Sequence, residues 1–168
     1  MDEKRKKIVG NLAVVIVVLI MSVMFLSGCA QLNSNPPEYV KNVAAYKEGS
    51  DGLVVYFILA DASGAMTTSD GEVTLTIFET HNEFSYTTYE IINRDEELFM
   101  ASLNVKKADF YKTKVGMGAF EHDAIIFSFG RIPYSAFLRK PSEMSGKVEL
   151  EFRTPDGRVL KGEETIIF

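Results

Sequence analysis

Apolar and polar positions in this chain alternate with a period of two, in short runs bounded by Gly, Asp, Asn or Pro, and no helical period of useful length appears after residue 38. The runs predict strands over Val40–Lys47, Leu53–Ala60, Glu72–Glu79, Phe84–Ile92, Leu98–Val105, Ala124–Phe129, Lys147–Arg153 and Arg158–Phe168. Leu53–Ala60 (LVVYFILA) is apolar on both faces and reads as a central strand, and Ala124–Phe129 (AIIFSF) reads as a second buried one. In Glu72–Glu79, Val73, Leu75 and Ile77 alternate with Thr74, Thr76 and Phe78, so one face is core and the other half covered. Asn93–Glu97 reads as a charged turn, and 106–123 is the least legible stretch, with a short helical turn near Ala108–Tyr111 and a mobile loop at Val115–Gly118. Thr154-Pro155-Asp156-Gly157 is an explicit turn closing a final hairpin, Pro setting φ and Gly accepting a positive one.

About eight strands joined by turns predict an all-β fold, an antiparallel two-sheet sandwich. Over 39–168 the pattern resembles the immunoglobulin-like or fibronectin-type-III-like domains that prokaryotes place on their surfaces, although Trp is absent and there is no Cys pair. The competing arrangements are a small open barrel and an α+β fold using Lys106–Tyr111 as a helix.

The first 29 residues break the alternation. Lys4, Arg5, Lys6 and Lys7 form a cationic patch, Leu12–Met21 and Val23–Leu26 form an apolar run, and Leu26-Ser27-Gly28-Cys29 follows directly. Positive charge beside an apolar segment is retained on the inner face of a membrane, so the rest of the chain is expected outside the cytoplasm.

The Leu, two small residues and Cys resemble the lipobox of prokaryotic lipoproteins. That resemblance implies cleavage between Gly28 and Cys29 and attachment of a diacylglyceryl group, carrying palmitate-like acyl chains, to the Cys29 thiol. Two or three long chains suffice for stable anchoring at about 0.8 kcal/mol per buried CH₂. The alternative is an uncleaved signal anchor, since about 20 apolar residues span a bilayer. The expected organisation is therefore a signal peptide over 1–28, a lipidated tether over 29–38 and a sandwich over 39–168. The tether, Ala30-Gln31-Leu32-Asn33-Ser34-Asn35-Pro36-Pro37, is polar and proline-bearing, and extends to roughly 25–29 Å.

Composition narrows the function classes. Removing residues 1–28, with their four Lys/Arg and two Asp/Glu, takes the formal charge from −5 to −7 over 140 residues, which makes nucleic acid an unsuitable partner. The single cysteine is assigned to lipid, which leaves no disulfide, cysteine metal site or thiol nucleophile. Of the two histidines, neither His81 nor His122 sits in H-E-x-x-H, and no Ser lies in G-x-S-x-G. His81 reads as a solvated turn residue. Glu121-His122-Asp123 is the one local cluster an accessory enzyme or metal-binding domain would use, though adjacent residues in an extended chain point to opposite faces. Asp61-Ala62-Ser63-Gly64 and Ser69-Asp70-Gly71 place oxygen ligands at two turns without the spacing of a Ca²⁺ loop.

No cofactor or metal is assigned, and no catalytic residue. The aromatic side chains are the remaining lead: one of Tyr86 and Tyr89 is expected at the surface, and Met117 and Phe120, in a Gly-flanked loop, are the candidate partner contact. The sequence thus predicts a lipid-anchored, extracytoplasmic, non-catalytic binding or structural module held to a bilayer through Cys29, with an envelope protein or a glycan as partner.

Overall fold

The computed structural model describes residues 35–116 and 118–168, so the apolar run, Gly28, Cys29 and Met117 lie outside the described residues. Nine strands occur among them: β1 (Tyr39–Lys47), β2 (Gly52–Ala60), β3 (Met66–Thr67), β4 (Gly71–Ser85), β5 (Glu90–Val105), β6 (Tyr111–Val115), β7 (His122–Pro133), β8 (Ser145–Arg153) and β9 (Val159–Ile167). They form two antiparallel sheets, one in the order β1-β2-β7-β6 with β3 added beside β2, the other in the order β5-β4-β8-β9. The fold is the all-β two-sheet sandwich that the alternation predicts.

The core lies between the sheets, where Leu53, Val55, Phe57 and Leu59 of β2 meet Val73, Leu75 and Ile77 of β4 and Val148, Leu150 and Phe152 of β8. Phe57 is its centre, with ring contacts to Phe110, Phe127, Phe129 and Phe152 at 5.5–6.3 Å between centroids. At one side β1 closes against β9: a Cβ added to Gly162 would stand 2.6 Å from Val43 Cγ2 and 2.7 Å from Val40 Cγ1, so only glycine permits that approach. The closing turn forms as the sequence indicates, with Gly157 at φ +87° and its N–H donating to the Thr154 carbonyl at 2.9 Å.

Three elements differ from expectation. The segment 84–92 is not one strand but the end of a long hairpin: β4 runs to Ser85, the chain turns over 86–89, and β5 begins at Glu90. Ser85 makes the turn, its carbonyl accepting from Tyr89 N–H at 2.8 Å and its hydroxyl from Thr88 N–H at 3.3 Å, while Tyr89 adopts φ 56°. Asn93–Glu97 lies within β5 rather than in a turn. β5 is an edge strand, where charged side chains face water and discourage pairing with another chain. The illegible stretch contains a 3-10 turn at Lys107–Asp109 and the edge strand β6, whose Lys112 and Lys114 break up its apolar pattern.

Candidate binding face

The outer face of the β1-β2-β7-β6 sheet is apolar and aromatic. Residues directly paired across strands share a face, and the pairs Tyr46 with Val54, Tyr56 with Ser128, Tyr111 with Ile126, and Val115 with His122 lie opposite the core side chains Phe57 and Phe127. On this outer face Ile58, Val115, Ala124 and Ile126 are buried as a second, smaller cluster with Tyr56 and Met66 against it. Among the described residues no second sheet covers this face, and the burial of apolar residues on it makes the surface a trough.

The trough is a groove of about 610 Å³, with Val54, Tyr56, Ile126 and Ser128 as floor and Tyr46 of β1 and Tyr111 and Thr113 of β6 as walls. Tyr46 and Tyr111 are half exposed, so their rings line the opening. Burial raises the phenol of Tyr56 above its usual range, and the nearby Tyr46 adds to the shift, which keeps this group a neutral donor and acceptor at any physiological pH. Among the described residues no acidic side chain lines the groove, and Lys114 stands at its edge, in a chain whose net charge is −5. Apolar walls with a few hydroxyls suit uncharged or anionic ligands.

The loop singled out from the sequence borders this groove. Gly116 lines it at φ +106°, and a Cβ there would come within 2.5 Å of the Phe120 carbonyl, so the turn that carries Phe120 folds tightly back on the groove's end. Phe120 is 85% exposed. His122 shares the outer face with Val115, its Nδ1 3.4 Å from the Phe120 carbonyl oxygen, whereas Asp123 is paired with Lys114 one position along the alternation. Glu121, His122 and Asp123 therefore do not converge, and no group of three or more His, Cys, Asp and Glu side chains suited to a metal occurs among the described residues. At the first candidate oxygen cluster the Asp61 carboxylate is taken up by its own turn, accepting from Ser63 Oγ at 2.6 Å, Ser63 N–H at 2.9 Å and Ala65 N–H at 3.1 Å, with Asn35 Nδ2 at 2.9 Å.

His81 is not a turn residue. It lies inside β4, about a quarter exposed, with its ring 3.4 Å from Glu79 and Glu96 carboxylates, 3.6 Å from that of Glu143 and 3.2 Å from Arg139 Nη2. Glu79 is fully buried beneath it, ion-paired to Arg139 and accepting the backbone N–H groups of Ser142 and Glu143. Burial works to raise this carboxyl's pKa, but those donors and the guanidinium outweigh it and hold the pKa below the usual range. This cluster fastens the 139–143 loop to the second sheet. The sequence signal for it was the period of two: stepping from Ile77 to Glu79 to His81 keeps both on the inward side. The tyrosine groove, by contrast, gathers residues from four strands, two near the start of the sandwich and two some sixty residues later, and left no local motif.

No known protein family matches the chain, and no curated protein matches it significantly. Among solved structures it is similar to MtrC from Shewanella baltica OS185, with a TM-score of 0.40 and 10% identity over 78% of this chain and 22% of that one. The chain spans less than a quarter of that neighbour's length, and a likeness this slight does not bear on function.

Proposed function

We propose that the protein is a lipoprotein anchored through Cys29 on the extracytoplasmic face of a cell membrane, where its sandwich serves as a non-catalytic binding module. The lipobox supports the anchor, and the tyrosine-walled groove supports the binding role. A surface trough with an apolar floor, tyrosine walls, Lys114 at its edge and an exposed Phe120 at its end is built to hold something, and among the described residues it shows no nucleophile paired with a base. An envelope glycan or an envelope protein segment is the occupant in this reading.

Occupancy is testable without knowing the ligand. A cysteine introduced at Thr113, on the groove wall, is compared with one at Glu163 on β9, using a water-soluble maleimide on intact envelopes and on the purified full chain. Acylated Cys29 is silent to this reagent. The reading requires Thr113→Cys to label more slowly in envelopes than after purification while Glu163→Cys is unchanged. Equal labelling of Thr113→Cys in both preparations overturns it.

A further inference from the structure

The β4-β5 hairpin outgrows the sandwich. β8 pairs with β4 only from Glu72 to Glu79, whereas β5 accompanies β4 as far as the Ser85 and Glu90 pair. Beyond Thr80 and Asp95 no third strand pairs with the two among the described residues, and past His81, which the 139–143 loop still touches, the ribbon projects by about 13 Å, four residues at strand rise. A two-stranded ribbon in water is marginal by itself.

One face of this arm is aromatic and wet. Phe84 is paired with Ile91, so they share a face, and the Phe84 ring meets Tyr86 at 5.1 Å and Tyr89 at 6.5 Å, both edge-on. These contacts help hold the turn, yet Tyr86 and Tyr89 remain 81% and 80% exposed and Ile91 70%. Ring packing at the tip therefore uses only a small part of the apolar surface that the four side chains present. Contiguous apolar surface of this kind, on a projecting hairpin, marks a docking site. Both tyrosines being exposed also departs from the expectation that one of them would be.

Charge and position select the occupant. On the arm from Thr80 to Asp95, Asp95 is paired with Lys147 at 2.7 Å and Glu83 lies 3.6 Å from Arg94, while Glu90 has no ion pair among the described residues, so the tip keeps an acidic edge that disfavours anionic headgroups. The tip also lies at the end of β4 opposite Gly71. Asn35, within the expected tether, lies near the Gly71 end, its carbonyl accepting from Thr67 Oγ1 at 2.7 Å. Fifteen residues of β4 separate the two ends, about 45 Å.

We propose that the hairpin tip, formed by Phe84, Tyr86, Tyr89 and Ile91, docks onto a partner protein whose surface is apolar at its centre and edged with Lys or Arg. This contact is independent of the groove and of Cys29 acylation. The test places a photoreactive phenylalanine at Tyr86 in the full chain, irradiates native membranes and sequences the cross-linked peptides. The expected result is an adduct to another protein, at a segment where apolar residues adjoin Lys or Arg. Its yield should fall about tenfold when Glu83 and Glu90 are both replaced by Lys, and be lost with Phe84→Ser and Ile91→Ser. Ile91 is 70% exposed, so the Ile91→Ser protein should melt at the temperature of the parent, which separates lost docking from lost folding, whereas Phe84→Ser also removes the ring contacts that hold the turn. Adducts only to lipid, adducts only to a second copy of the chain, no adduct, or a yield indifferent to Glu83→Lys and Glu90→Lys each overturn the proposal.

Discussion

Arg139 closes an ion pair on Glu79, whose carboxylate is wholly out of solvent, and the same guanidinium reaches Glu96 Oε2 at 2.6 Å on the neighbouring strand. One side chain from a loop thus ties together two strands of the second sheet. Glu79 cannot lose its carboxylate quietly, because Arg139 and two backbone N–H groups would be left without their acceptor. Arg139 is a third exposed, so the loss falls below that of a fully buried pair. Glu79→Ala should lower stability by about 2–3 kcal/mol, read from urea unfolding followed by circular dichroism. A change under about 0.5 kcal/mol, the ordinary range for surface sites, would show that the cluster does not hold the loop.

Acid should unfold the domain before base does. Hydrogen bonds from the Ser63 and Asn35 side chains lower Asp61 from 3.8 to about 2, and donors around Glu79 and Asp95 lower those groups as well. A carboxyl whose folded pKa is depressed stabilises the fold above its unfolded value and loses that contribution as pH falls through the folded one. Stability is therefore expected to be level from neutral pH to about 5 and to decline steadily toward about 2. Thermal melts across that range check it, and Asp61→Asn should flatten the decline. A stability maximum below pH 4 would contradict the assignment.

Tyr134 carries the opposite signature. Its hydroxyl is buried without a hydrogen-bond partner among the described residues, while its ring packs edge-on against Phe137 and Phe168. Removing the oxygen keeps the packing and abolishes an unsatisfied polar group, so Tyr134→Phe should be neutral or raise the melting temperature. A loss of more than about 1 kcal/mol would mean that the hydroxyl has a partner.

The sandwich was legible because period-two alternation survives wherever one face is core and the other wet, as in β8, and because LVVYFILA is apolar on both faces, as a central strand between β1 and β7 must be. It failed where edges and turns override that pattern. Ser85 turns the chain with no Gly, Pro, Asn or Asp among the next four residues, so β-branched and aromatic side chains at 86–89 imitated a strand. Charged residues on edge strand β5 imitated a turn. At the candidate binding face, Phe120 was visible as an aromatic beside glycines, but Tyr46, Tyr56 and Tyr111 meet only through strand order. Pairing across a sheet is a tertiary fact, and one-dimensional patterning does not carry it.

The proposed anchor at Cys29 would decide where every other feature operates, and it is tested by mass spectrometry of the full-length protein extracted from its own membranes. The predicted result is a chain whose first residue is Cys29, its sulfur bearing a diacylglyceryl group, with residues 1–28 gone. An N-terminal peptide in which an unmodified Cys29 is still joined to Gly28 would contradict the account.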